Sequence, residues 1–162
     1  MKLKHKLILL STSLFALPAL AQGFYAGASI GYGNQQNLFD DLGSGTGYLM
    51  AGYRINDNIG AEYRFGGVNA SNSEINPKSY NSLLLRASYE LEQNFEIYGL
   101  VGITQANGYF WNKQTHVTSP SVGLGVRYEI SDGLGVNAEY VSVVSARDYS
   151  LSAAYFGIDY RF

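Results

Sequence analysis

The closing stretch Ala154–Phe162, AYFGIDYRF, decides the fold. Counting back from Phe162, every second residue is apolar or aromatic: Tyr160, Ile158, Phe156, Ala154. Between them stand Arg161, Asp159, Gly157 and Tyr155. Successive side chains of a strand point to opposite faces, so this segment has one greasy face and one polar or small face. The last strand of a soluble sandwich is the bland alternative.

The same period recurs along the chain, and no stretch after Ala21 has a helical period. Strands are expected over Phe24–Gly33, Gly47–Ile55, Ile59–Gly66, Tyr80–Leu91, Phe95–Gln105, Ser121–Ile130, Leu134–Val144 and Ser150–Phe162. In the third, Ile59, Ala61, Tyr63 and Phe65 alternate with Gly60, Glu62 and Arg64. In the sixth, Val122, Leu124, Val126, Tyr128 and Ile130 alternate with Gly123, Gly125, Arg127 and Glu129. The fifth is apolar or small on both faces, so its register stays open. Asn56-Asp57-Asn58, Glu92-Gln93-Asn94 and Ser131-Asp132-Gly133 make short turns, since Asn, Asp and Gly suit tight backbone. Longer links are expected over Asn34–Thr46, Gly67–Ser79 and Ala106–Pro120, with a brief one over Ser145–Tyr149. Gly43-Ser44-Gly45-Thr46-Gly47 lacks the lysine and helix of a phosphate-binding loop and reads as a flexible loop end.

Every strand-borne arginine lies opposite the aliphatic and aromatic face. A soluble lipocalin-like barrel would carry its apolar residues inside, so the pattern is inverted. Eight strands with short turns at one end and longer links at the other predict an all-β, eight-stranded antiparallel up-and-down transmembrane β-barrel. Fourteen Tyr, eight Phe and 19 Gly fit aromatic girdles and a crowded lumen. A mean hydropathy of −0.07 is no objection, because only half of each strand faces lipid.

The other end marks export. Lys2, Lys4 and Lys6 precede an apolar run over Leu7–Leu20, and Ala19-Leu20-Ala21 is a small-x-small cleavage site. The run is shorter than the roughly 20 residues a spanning helix needs. Residues 1–21 are therefore expected to be a cleaved secretory signal peptide and residues 22–162 the barrel domain. Removing three lysines leaves eight Lys and Arg against 13 acids, a net charge near −5. That balance argues against nucleic acid as a partner. Without cysteine there is no disulfide framework, and stability must come from packing and hydrogen bonds.

FYAGASIGYG near the start, GLGVRYEI in the middle and YFGIDYRF at the end resemble small eight-stranded outer-membrane barrels of the OmpA transmembrane-domain and OmpX/Ail type, a porin-family likeness that covers the mature chain. The resemblance implies residence in the outer membrane of a Gram-negative bacterium. It also makes Phe156, Ile158, Tyr160 and Phe162 an insertion signal read by the barrel-assembly machinery. Outer-membrane lipid and lipopolysaccharide are the expected surroundings, and a monomer the expected state. Unlike full-length OmpA, the chain stops at the barrel, and its external loops are modest.

Ten charged residues fall on inward positions: Arg54, Arg64, Arg86, Arg127 and Arg161 against Glu62, Glu90, Glu129, Glu139 and Asp159. A charge in a water-poor lumen persists only when paired, so equal numbers imply an internal salt-bridge network. Eight strands enclose just enough room for side chains to fill. A plugged barrel is the reading, with a narrow porin-like channel through the same charges as the alternative.

Chemistry has less support. His116 is the one histidine of the mature chain, and Ser119 and Ser121 lie near it. A nucleophile needs a base in reach and an acid to orient that base. Thr118 takes the same-side position and no acid is close in sequence, so neither an enzyme nor a cofactor is expected, a lipid-modifying enzyme being the remote alternative. Asp40-Asp41 offers oxygen ligands without a spaced ladder of acids, so no metal site is assigned. Tyr109-Phe110-Trp111 cannot all face one way on a strand. It is either an outer aromatic girdle or a contact patch for lipopolysaccharide, a partner, or a host surface or matrix. A structural or surface-contact role follows, including adhesion or host-defence resistance.

Overall fold

The computed structural model describes residues 23–37, 41–69, 75–110, 113–146 and 149–162. Its eight strands are β1 (Phe24–Asn37), β2 (Asp41–Arg54), β3 (Ile59–Asn69), β4 (Ile75–Glu92), β5 (Phe95–Phe110), β6 (Lys113–Ser131), β7 (Leu134–Ala146) and β8 (Tyr149–Arg161). Each pairs antiparallel with the next, and β8 pairs with β1 from Tyr25↔Arg161 to Asn37↔Tyr149, which closes the barrel. Closure leaves no sheet edge within the paired height, the condition for a strand protein to stand in lipid.

The alternation sorts the side chains as the sequence predicts. Leu124 and Ile30 are 73% and 77% exposed on the outer wall, whereas Glu62 and Arg127 are 1% and 2% exposed inside. A large apolar exterior around a charged interior is the reverse of a water-soluble core. On β4 the outward apolar run lasts from Leu83 to Leu91. At about 3.4 Å per residue and a tilt near 40°, that is a band about 20 Å tall. Beyond it the outward positions turn polar, at Asn34, Asn81, Gln105 and Thr118.

The open register of β5 is settled by its ladder. Tyr89 pairs with Ile97 and Ala87 with Gly99, both outward. Glu96, Tyr98, Leu100, Thr104 and Ala106 therefore turn inward and are buried.

The links expected over Asn34–Thr46, Gly67–Ser79 and Ala106–Pro120 are largely strand. β1 runs to Asn37, β2 starts at Asp41, and β5 and β6 pair from Phe95↔Tyr128 to Phe110↔Lys113. Gly43-Ser44-Gly45-Thr46-Gly47 is not a flexible loop end but part of β2. Ser44 and Thr46 are buried, and the Thr46 hydroxyl donates to Gly67 O at 3.0 Å. Glycine disguised the alternation there, since it weakens strand propensity without changing the period of two.

Glycines make room for the lumen's rings. Tyr80 lies over Gly66, Tyr98 over Gly125 and Tyr25 over Gly52. A Cβ on Gly66 would sit 2.1 Å from Tyr80 Cζ, while one on the outward-facing Gly99 would meet nothing nearer than 3.8 Å. Tyr80 is 2% exposed and its hydroxyl is held by Tyr155 at 3.0 Å, so it has nowhere to retreat. Gly66→Ala is expected to cost about 1–3 kcal/mol and lower the urea unfolding midpoint of the refolded barrel, while Gly99→Ala leaves it unchanged. Loss of the boiling-sensitive gel shift against urea measures both.

Candidate functional site

The lumen carries a branched network of buried charges. Arg64, from β3, is held between Glu62 on its own strand and Glu139 on β7, with its Nη2 donating to Glu139 Oε2 at 2.9 Å. Residues two apart on a strand share a face, which is why Glu62 and Arg64 meet. Arg86, from β4, donates to Glu96 at 2.7 Å and lies 3.8 Å from Glu62. Arg161 donates to the other oxygen of Glu96 at 2.6 Å. A second cluster joins Arg127 to Asp159 at 2.7 Å and to Glu129 at 2.8 Å, with Asn137 donating to Asp159 at 2.9 Å.

Tyrosines complete the carboxylates' shells. The hydroxyls of Tyr48 and Tyr98 both donate to Glu139, at 2.8 and 2.9 Å, and that of Tyr25 donates to Glu62 at 3.0 Å. Rings also take the cations face-on: Arg64 sits 4.2 Å from the Tyr48 centroid and Arg86 3.5 Å from that of Tyr98. Above this layer Tyr80, Tyr155 and Thr46 join through their hydroxyls at 3.0 and 3.3 Å. Ser82, Thr104 and Ser121 form a further row, with oxygens 2.6 Å apart, ending on Val143 O. The network thus spans most of the barrel's height.

Eight of the ten predicted lumen charges stand in these contacts. Arg54 and Glu90 do not: both are exposed at the rim formed by the short turns. Parity assigned their face correctly, but depth along the strand decides burial, and these two lie at strand ends. Glu96 takes a central place that the sequence reading missed, because β5 had no assigned register. Its signal was present. Glu90 pairs with Glu96 across the three-residue turn, and cross-strand partners share a face.

Phe156, Ile158, Tyr160 and Phe162 all lie on the outer wall. Tyr109 and Phe110 end β5 at the tip of the β5–β6 hairpin, and Trp111 lies outside the described residues. His116 is exposed on β6, with Nδ1 hydrogen-bonded to Asn107 Oδ1. Ser119 and Ser121 are buried in the lumen, on the opposite face of the strand. Asp41 opens β2, whereas Asp40 and residues 1–21 lie outside the described residues.

Stripping one ion from this network leaves its partners short of a counter-charge. Arg86→Leu, which leaves Glu96 to Arg161 alone and Glu62 to Arg64 alone, is expected to destabilise the barrel by about 3 kcal/mol. The pair Arg86→Leu with Glu96→Gln should recover part of that loss, because it removes the under-paired carboxylate while the amide oxygen still accepts from Arg161. Urea midpoints of the two variants against the native barrel read the difference.

Three comparisons bear on this architecture. Residues 7–162 match the family model of the outer membrane protein beta-barrel domain. No curated protein matches the chain. Among solved structures, Neisserial surface protein A aligns with a TM-score of 0.65 at 17% identity, over 86% of this chain and 97% of its own. Ail, the attachment invasion locus protein of Yersinia pestis, solved with the heparin analogue sucrose octasulfate, aligns with a TM-score of 0.60 at 19% identity, over 86% and 99%. The N-terminal barrel domain of Pseudomonas aeruginosa OprF gives 0.51 at 14%, over 83% and 97%.

Proposed function

Since the chain belongs to the outer membrane protein beta-barrel domain family, we propose that it is a filled membrane anchor in the Gram-negative outer membrane whose external ribbon makes surface contacts. The observation that carries this reading is the lumen: arginines, carboxylates and tyrosines bond across it at successive heights and occupy the space a permeant ion would need. What rises outside the apolar band is the ribbon. β4, β5 and β6 are the longest strands, at 18, 16 and 19 residues, and they rise past the apolar band on one side.

With short turns at the periplasmic end, as in barrels of this kind, that ribbon stands in the lipopolysaccharide layer or above it. Tyr109 and Phe110 end β5 at its tip, Trp111 follows them in sequence, and aromatics of this kind dominate contact hot spots. Ail's complex with a heparin analogue supports a contact role for this shape of protein. Insertion through the assembly machinery uses the outward Phe156, Ile158, Tyr160 and Phe162 in this reading.

Refolded protein in planar bilayers is expected to give no steady conductance; a large, persistent one would transfer the role to a channel. In a non-adherent outer-membrane host, cells displaying the native barrel should bind epithelial cells or matrix, while cells whose residues 107–117 are cut to a tight turn should not. Equal binding by both would remove the ribbon tip from the function.

A further inference from the structure

Buried side-chain oxygens and nitrogens in the lumen have hydrogen-bond partners, with two exceptions among the described residues: Ser29 Oγ and Asn137 Oδ1. Both residues are 4% exposed. A polar atom buried without a partner loses its bond to water and gains none in return.

The two exceptions stand in one place. Ser29 on β1 pairs with Gly157 on β8, and Gly157 pairs with Asn137 on β7. The row continues to Tyr48 on β2 at one end and Arg127 on β6 at the other. Cross-strand partners share a face, so all five stand side by side on the lumen wall. Gly157 is the member without a side chain. A Cβ there would lie 1.9 Å from Ser29 Oγ and 2.9 Å from Asn137 Oδ1. Both oxygens thus converge on the same glycine, yet they do not bond each other. One water, at ordinary hydrogen-bond lengths, bridges two oxygens about 5 Å apart.

The geometry points to a buried water site over Gly157, held by Ser29 Oγ and Asn137 Oδ1. Donor and acceptor chemistry selects the occupant. The Asn137 amide nitrogen donates to Asp159 Oδ2 at 2.9 Å, which leaves the amide oxygen for the row. That oxygen only accepts, so the occupant must donate to it, and the Ser29 hydroxyl donates to the occupant. Water does both, and buried waters settle on such otherwise unpaired groups. A cation is the rival. The carboxylates on either side are already committed, Asp159 to Arg127 and Asn137, and Glu139 to Arg64, Tyr48 and Tyr98. Two neutral oxygens do not offset the cost of desolvating an ion. Through this water the hydrogen bonds of the Arg127–Asp159 cluster cross β8 and reach β1, tying the seam at which the barrel closes.

A crystal structure of the refolded barrel, at a resolution that shows ordered solvent, is expected to hold a water at hydrogen-bond distance from both oxygens. Ser29→Ala supplies the thermodynamic arm. Removing a buried hydroxyl that has no partner raises the urea midpoint or leaves it unchanged, whereas removing one that holds a water lowers it. A lower midpoint is expected. The drop should shrink when Ser29→Ala is made in an Asn137→Ala barrel, whose water has already lost its acceptor. The boiling-sensitive gel shift confirms that each variant is folded. A dry site in the crystal, or a peak at the shorter distances of a metal ion, would overturn the proposal. So would a Ser29→Ala midpoint equal to or above the native one, or the same drop in both backgrounds.

Discussion

Closure of the sheet is the constraint from which the rest of this molecule follows. In hydrocarbon no water can satisfy a backbone N–H or C=O, so the eight strands must each pair on both sides through the membrane. Once β8 is joined to β1, the period of two in the sequence becomes a division between lipid and lumen. The outer half needs little beyond aliphatic and aromatic side chains of adequate length. The inner half must fill a narrow tube without leaving a charge or hydroxyl alone. Four arginines and five carboxylates meet that demand through shared partners: Glu139 accepts from Arg64, Tyr48 and Tyr98, and Glu96 accepts from Arg86 and Arg161.

This interior differs from a hydrophobic core in what holds it. Its apolar members, among them Leu84, Leu100 and Leu151, pack beside tyrosines whose hydroxyls are spoken for by hydrogen bonds. The rings lie over the adjacent strand because their cross-strand partner is glycine, as at Gly52, Gly66 and Gly125. Many of the glycines thus have a packing reason rather than a conformational one. The left-handed backbone that favours glycine occurs at Gly23 and Gly133, and Gly133 sits in the turn between β6 and β7.

How much of this could be read from the residues varied with the kind of question. Strand number, the faces of β3, β6, β7 and β8, and the three short turns were legible, because alternation is a local signal. β5 was not, since Tyr98, Leu100, Val101 and Ile103 are apolar on both sides. Its face is set by its partner across the turn. Counting from Glu90 to Glu96 carries the register over, so a pairwise reading succeeds where a single strand is ambiguous. Depth was the other blind spot. Arg54 and Glu90 have the inward parity of Arg64 and Glu62, yet they stand in water at the rim, and nothing in a two-residue period distinguishes a strand's end from its middle. The outer extensions were hidden for a related reason: past the apolar band the outward face turns polar, as at Asn81, Gln105 and Thr118, so strand continues without its signature.

Those extensions have a mechanical meaning. β4, β5 and β6 are continuous from the rim with the short turns, past the apolar band, to the ribbon. A tug on the tip along the ribbon axis acts along these strands, at right angles to their ladder hydrogen bonds. The bonds are then loaded in shear and share the force together, whereas a sideways peel would break them one after another. A barrel built this way transmits tension from an external contact directly into its most extensively paired wall, as a root holds a stem.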